Sequence, residues 1–247
     1  MKVSKMEPMI IVAILIMFVA ATVQGIAGFG RALIAAPLIA LFTPADETIV
    51  IMIVLGVVGA LIMITRTYKH LHLKRMIPMV VLGIIGSIAG VQILAIIPVK
   101  ELKIIMGVFI IVSAVILATG FRIKIKNEKV AYSVAGFIGG LTNGAISFGG
   151  PPTVLFLQNQ NEEKNVFRAN LSFFFLIIGF VGSLNLFLNG MLTSNLVTQA
   201  GILAIPTVLG TFFGNYLSHK FPEEIFRKIV LVILFAAGAM AIVMSFV

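Results

Sequence analysis

The chain has 247 residues, 60% of them hydrophobic and 11% charged, with 18 Lys and Arg against 9 Asp and Glu and no cysteine. So small a charged fraction leaves too little polar surface for a water-facing globule, and the missing cysteines exclude disulfides, thiolate nucleophiles and cysteine metal sites. The net charge of +9 in such a chain points to basic loops beside anionic lipid rather than to a nucleic-acid partner.

In chain order, an apolar run at Met9–Gln24 follows Lys2 and Lys5. It outlasts a signal h-region and ends without a small-x-small cleavage site, so a retained helix is expected. A glycine-broken stretch comes next, Gln24-Gly25-Ile26-Ala27-Gly28-Phe29-Gly30-Arg31, with Pro37 just beyond. Apolar blocks then occupy Ile49–Thr65, Met76–Ile97 and Leu102–Thr119, most of them near the ~20 residues that cross a bilayer as helix. Arg122, Lys124, Lys126 and Lys129 form a basic linker. A second broken stretch carries Gly136, Gly139, Gly140, Thr142, Asn143, Gly144, Ser147, Gly149, Gly150, Pro151 and Pro152. Three more blocks follow at Phe173–Leu188, Leu196–Leu217 and Ile229–Val247. None alternates polar and apolar residues as barrel strands would. The fold class expected is an all-α polytopic membrane protein.

The two broken stretches align with each other. Gln24 through Arg31 lies on Asn143 through Gly150, and Gly86, Gly90, Pro98 and Lys103 lie on Gly210, Gly214, Pro222 and Arg227. The chain therefore divides into an N-terminal transmembrane repeat over 1–120, a basic linker over 121–129 and a C-terminal repeat over 130–247. Each repeat holds one glycine- and proline-broken segment and three ordinary helices, a plan common in secondary transporters. Segments 9–42 and 130–157 either cross fully or enter and return on one side. The second arrangement places Arg66–Arg75, Arg122–Lys129, Lys164, Arg168 and Lys220–Lys228 together on the cytoplasmic side. It satisfies the positive-inside rule better and makes the halves inverted repeats. It is the arrangement expected, with loops 66–75 and 122–129 cytoplasmic.

The breaks are where chemistry is expected. Glycine weakens a helix and consecutive prolines free its carbonyls, and exposed backbone of that kind must be buried in protein or face a polar cavity. A helix starting after Arg31 or at Pro151 aims free N–H groups and a positive dipole end into that cavity, an anion-binding arrangement. Arg31 reads either as a substrate counter-charge or as a snorkelling side chain. Its guanidinium fork suits oxyanions. Arg168 reads either as an interfacial anchor or as a guide at the cavity mouth. Candidate substrate-binding residues are Gln24, Gly25, Gly28, Gly30, Arg31, Thr142, Asn143, Gly144, Ser147, Gly149, Gly150 and Pro151. For Gly86/Gly90 and Gly210/Gly214, close helix packing is the expected role; for Gly136/Gly140, packing and site remain open. No Asp or Glu lies deep in any apolar block, which disfavours cation substrates and leaves no carboxylate for the usual proton or sodium coupling.

Gly25-Ile26-Ala27-Gly28-Phe29-Gly30 with Ala36-Pro37-Leu38, and Gly149-Gly150-Pro151-Pro152-Thr153-Val154-Leu155-Phe156, resemble the two signature stretches of the TauE/SafE sulfite exporter family. Phe167-Arg168-Ala169-Asn170 is similar to the stretch that follows the second signature. The resemblance covers nearly the whole chain and implies an inner-membrane permease for sulfite, sulfonates or other small organic anions. Arg31 departs from the small or aromatic residue expected after Gly30, which makes it a candidate specificity element. The function expected is a non-enzymatic secondary transporter that exports small anions by alternating access. An anion channel or a structural membrane protein are the alternatives. The partners expected are a small anionic substrate and membrane lipid. No metal and no cofactor are implied, and a homo-oligomer is compatible with the sequence.

Overall fold

A computed structural model describes residues 3–119, 127–160, 162–218 and 220. The block expected at Ile229–Val247 and most of the basic linker lie outside the described residues. The described chain is helical: α1 (Val3–Ala27), α2 (Arg31–Ile39), α3 (Ala45–Thr67), a 3-10 turn (Tyr68–His70), α4 (Leu73–Ile96), α5 (Val99–Thr119), α6 (Glu128–Ile146), α7 (Gly150–Asn159), α8 (Lys164–Leu188) and α9 (Ser194–Ser218). Five of these, α1, α3 with its 3-10 turn, α4, α8 and α9, are long and apolar enough to cross a membrane. Large apolar side chains such as Leu61, Ile85, Phe187 and Ile205 stand more than half exposed, the surface a lipid-facing protein presents. The chain is a multi-pass α-helical membrane protein.

Local chemistry sets the helix ends. Asp46 and Glu47 open α3 behind Pro44, where acidic charge complements the positive helix terminus. The Asn127 side chain caps α6 by accepting from the Val130 N–H at 3.3 Å. The two expected breaks fall between α1 and α2 and between α6 and α7. Gly28 (φ 85°) and Gly30 (φ 98°) make the first turn possible, since both take left-handed conformations.

Small residues fix how the helices meet. A Cβ at Gly136, Gly140 or Gly144 of α6 would run into the backbone of Met79, Gly83 or Ser87 of α4. The contacts advance in step, so α4 and α6 run the same way. On the other side of the molecule Gly210 and Gly214 of α9 lie against the backbone of Phe18 and Thr22 of α1 in the same manner, and Gly25 abuts Thr211 and Gly214. The packing role expected for Gly86, Gly90, Gly210 and Gly214 is what the structure has. Gly136 and Gly140 share it. Between these two pairs, α3 and α8 pack against each other along the centre.

The ends of the bundle are pinned by polar contacts. At one end Arg75, at the start of α4, bonds Glu128 at the start of α6, and reaches Glu162 and Gln160 beyond the end of α7, each at 3.3 Å. Nearby, Lys164 Nζ donates to the Ser218 carbonyl at 2.8 Å. The start of α6 and the end of α7 thus lie at the same end, together with the start of α8 and the end of α9. At the other end Gln92 Nε2 donates to Asn185 Oδ1 at 3.2 Å, joining the last turns of α4 and α8.

Candidate functional site

The two breaks face each other. The Phe29 ring lies against Gly150, whose missing Cβ leaves it room, and a cavity of about 50 Å³ opens beside this contact. That is space for a few water molecules or one small oxyanion. Gln24, Gly30, Arg31, Asn143, Ser147, Gly149 and Gly150 all line it. Seven of the residues expected from the sequence are therefore gathered at one place, and none of the lining residues is acidic.

Arg31 dominates the electrostatics. Its residue is only 4% exposed. Nη2 donates to the Met52 carbonyl of α3 at 2.9 Å, while Nε and Nη1 have no hydrogen-bond partner. No ion pair involves Arg31 among the described residues. A buried cation without a counter-charge is costly, and Arg31 lines a cavity with room for a small anion. Arg31 is also the first residue of α2, behind the left-handed Gly30. The first hydrogen bond into this helix is Ile34 N to Gly30 O at 3.2 Å, so the N–H groups of Arg31, Ala32 and Leu33 have no partner within it. The residues that carry these backbone donors and the guanidinium all line one small cavity.

The opposite wall differs. Pro151 and Pro152 occupy the first turn of α7 and carry no N–H, so this helix start offers fewer donors than α2 does. It contributes shape instead. Ser147, left-handed at φ 61°, closes α6: its N–H and that of Phe148 bond the Asn143 and Thr142 carbonyls. That turn brings Ser147 and Asn143 to the cavity. Gln24 enters from α1 with its Oε1 buried and unpartnered, its side chain seated on Gly59 of α3, where a Cβ would collide with it.

The remaining candidates lie elsewhere. Gly25 and Gly144 do not line the cavity; they point at α9 and α4, whose backbones they touch. Neighbouring residues on a helix are about 100° apart, so when Gln24 and Asn143 face the cavity, Gly25 and Gly144 cannot. Thr142 bonds back to the Ile138 and Gly139 carbonyls. Gly28 forms the turn, and Pro151 is buried in the first turn of α7. Arg168 is not at a cavity mouth or an interface: it is 2% exposed and bonded inside the protein.

Lining residues that the sequence does not single out come from α2, α3 and α8: Ala32, Leu33, Met52, Ile53, Gly56, Phe175 and Gly179. Met52 contributes through its backbone, which no side-chain pattern reveals. Gly56 and Gly59, one turn apart in an otherwise bulky helix, are a readable signal. The first sits within 3.4 Å of Arg31 Nη2, measured from where its Cβ would be, and the second seats Gln24.

Among the described residues no group of three His, Cys, Asp or Glu could hold a metal ion. No curated protein and no solved structure matches the chain. The family model described as "Sulfite exporter TauE/SafE" matches residues 13–241, nearly the whole length. That family consists of transporters, not enzymes, and with several membrane-spanning helices it gives the chain a membrane transport role for small solutes. The chain belongs to the TauE/SafE sulfite exporter family.

Proposed function

We propose that this protein is a secondary transporter of small anions, such as sulfite, sulfonates or related organic acids, across the cytoplasmic membrane. The observation that carries this reading is the buried Arg31 guanidinium, with two nitrogens unpaired, beside the start of α2 in an acid-free cavity. Oxyanions satisfy such donors and neutralise such a charge; cations are repelled. Net export fits an uncoupled carrier, because an inside-negative potential of 100 mV favours outward movement of one negative charge by about 2.3 kcal/mol.

The alternating-access part of the reading takes α1–α2 and α6–α7 as re-entrant hairpins of two inverted repeats. Supporting it, the start of α6 and the end of α7 meet at Arg75. The glycine contacts also exchange between the halves: Gly25 meets Gly214 as Gly144 meets Gly90. The Arg75 end would face the cytoplasm, in keeping with its basic loops. Because the chain has no native cysteine, single cysteines test this directly. Lys69→Cys and Glu163→Cys should react with an impermeant maleimide from the same side, and Asn189→Cys from the other. Labelling of Lys69→Cys and Asn189→Cys from one side, with Glu163→Cys from the other, would eliminate the re-entrant arrangement.

Transport itself is tested by counterflow of radiolabelled sulfite in proteoliposomes, with sulfoacetate and acetate as competitors. Saturable exchange inhibited by small anions and not by small cations is expected. A flux that rises linearly with concentration and shows no counterflow would replace the carrier with a channel.

A further inference from the structure

We propose that Arg168 is a positioning residue for the anion site, a role that rests on the anion reading of the cavity above. Arg168 lies in the second turn of α8 and does not line the cavity. Its Nη2 donates to the Gly25 carbonyl and to Asn215 Oδ1, both at 2.7 Å, and Nη1 donates to Ser218 Oγ at 3.2 Å. None of these acceptors is a carboxylate. The counter-charge of this buried cation is instead the end of α1, where the last carbonyls lack helical donors and the helix dipole is negative.

The two breaks differ in this respect. The end of α6 closes on itself, with Ser147 N bonding Asn143 O at 2.9 Å and Phe148 N bonding Thr142 O at 3.1 Å. At the end of α1, Gly28 N bonds Gln24 O at 2.6 Å, and the next carbonyl, that of Gly25, is taken by Arg168 from another helix. The Arg168 side chain also covers the turn itself, with Cγ 3.6 Å from where a Cβ of Gly28 would stand. Arg168 therefore tethers the last turn of α1 to α8 and, through Asn215 and Ser218, to α9. Gln24 precedes Gly25 on that turn, and Arg31 follows the two left-handed glycines after it. A tether on Gly25 fixes where both cavity groups stand, without touching the ligand.

The test uses the full chain with Ala32→Cys as a reporter, because Ala32 lines the cavity and the chain has no other cysteine. In proteoliposomes, N-ethylmaleimide labelling is followed with rising methanesulfonate, an anion that does not consume the reagent. The parent should be protected saturably and the Arg31→Ala variant should not. Arg168→Ala should raise the half-protecting concentration by about tenfold or more, and Arg168→Lys, which keeps the charge but donates from a single nitrogen, should recover part of that loss. Arg168→Gln, which retains an N–H donor, carries the same test should the alanine variant not fold. A merely structural arginine would lower the melting temperature and leave half-protection unchanged; that result overturns the positioning role while the site stands. Absence of protection in the parent, or equal protection in Arg31→Ala, removes the anion site and this role with it.

Discussion

Replacing Arg31 with alanine should abolish saturable anion exchange without weakening the fold. The guanidinium is buried and keeps one hydrogen bond, to the Met52 carbonyl, while Nε and Nη1 stay unpaired. A bound oxyanion would form its strongest contacts there, in a desolvated pair. Truncating one member of such a pair costs about 2–5 kcal/mol, or about thirtyfold to a few thousandfold in affinity. Counterflow measured over a range of sulfite concentrations reads that loss directly. Stability should respond with the opposite sign. In the empty protein Arg31 is an uncompensated buried charge, and removing such a charge relieves its desolvation cost. The melting temperature of anion-free Arg31→Ala in detergent should equal or exceed that of the parent. Added anion should raise the melting temperature of the parent only, since a ligand stabilises the state it binds. Arg31→Lys keeps the charge but loses the planar fork, so it should exchange anions with a higher KM. Undiminished exchange by Arg31→Ala would remove this side chain from the site.

The breaks are legible because they violate what a lipid-embedded helix requires: clustered glycines, amides and prolines inside apolar runs have no other economical explanation. That logic finds Gln24, Arg31, Asn143 and Ser147, all of which line the cavity. It does not separate the two faces of a helix. Gly25 and Gly144 read as site residues because they adjoin Gln24 and Asn143, yet helical rotation turns them towards α9 and α4. Arg168 reads as an interfacial anchor or a cavity-mouth guide because it sits at a helix entrance beside the second cluster. Its actual partners are a carbonyl 143 residues away in sequence and two polar groups on α9, contacts that only the packing creates. Met52 is invisible for a simpler reason: an acceptor on the backbone leaves no mark in the sequence. Gly56 and Gly59 leave a faint one, an absence of bulk on the face of α3 where Arg31 and Gln24 pack.

The glycine contacts between α4 and α6 make a second strong expectation. Gly140→Ala should destabilise the protein, although alanine is the better helix former by nearly 1 kcal/mol. The added Cβ would meet the carbonyl carbon and Cα of Gly83 at 2.8 and 2.9 Å, besides its oxygen. Backbone cannot swing aside as a side chain can, so the two helices must separate. Overpacking typically costs about 1–3 kcal/mol, and separation also forfeits the close van der Waals contact that holds helices together in lipid, where no hydrophobic force does so. Gly201→Ala is the matched control. Gly201 lies within α9 with nothing within 4 Å of where an added methyl would stand, so there the helix propensity acts alone and stability should rise by up to about 1 kcal/mol. Thermal unfolding in detergent separates the two, one melting lower and the other higher than the parent. Equal melting of Gly140→Ala and the parent would mean that α4 and α6 do not touch at this level. The consequence reaches the cavity, because Asn143 and Ser147 are carried by the same helix one and two turns further on. Helices forced apart at Gly140 cannot hold those residues opposite Arg31, so Gly140→Ala should lose exchange even at temperatures where it remains folded.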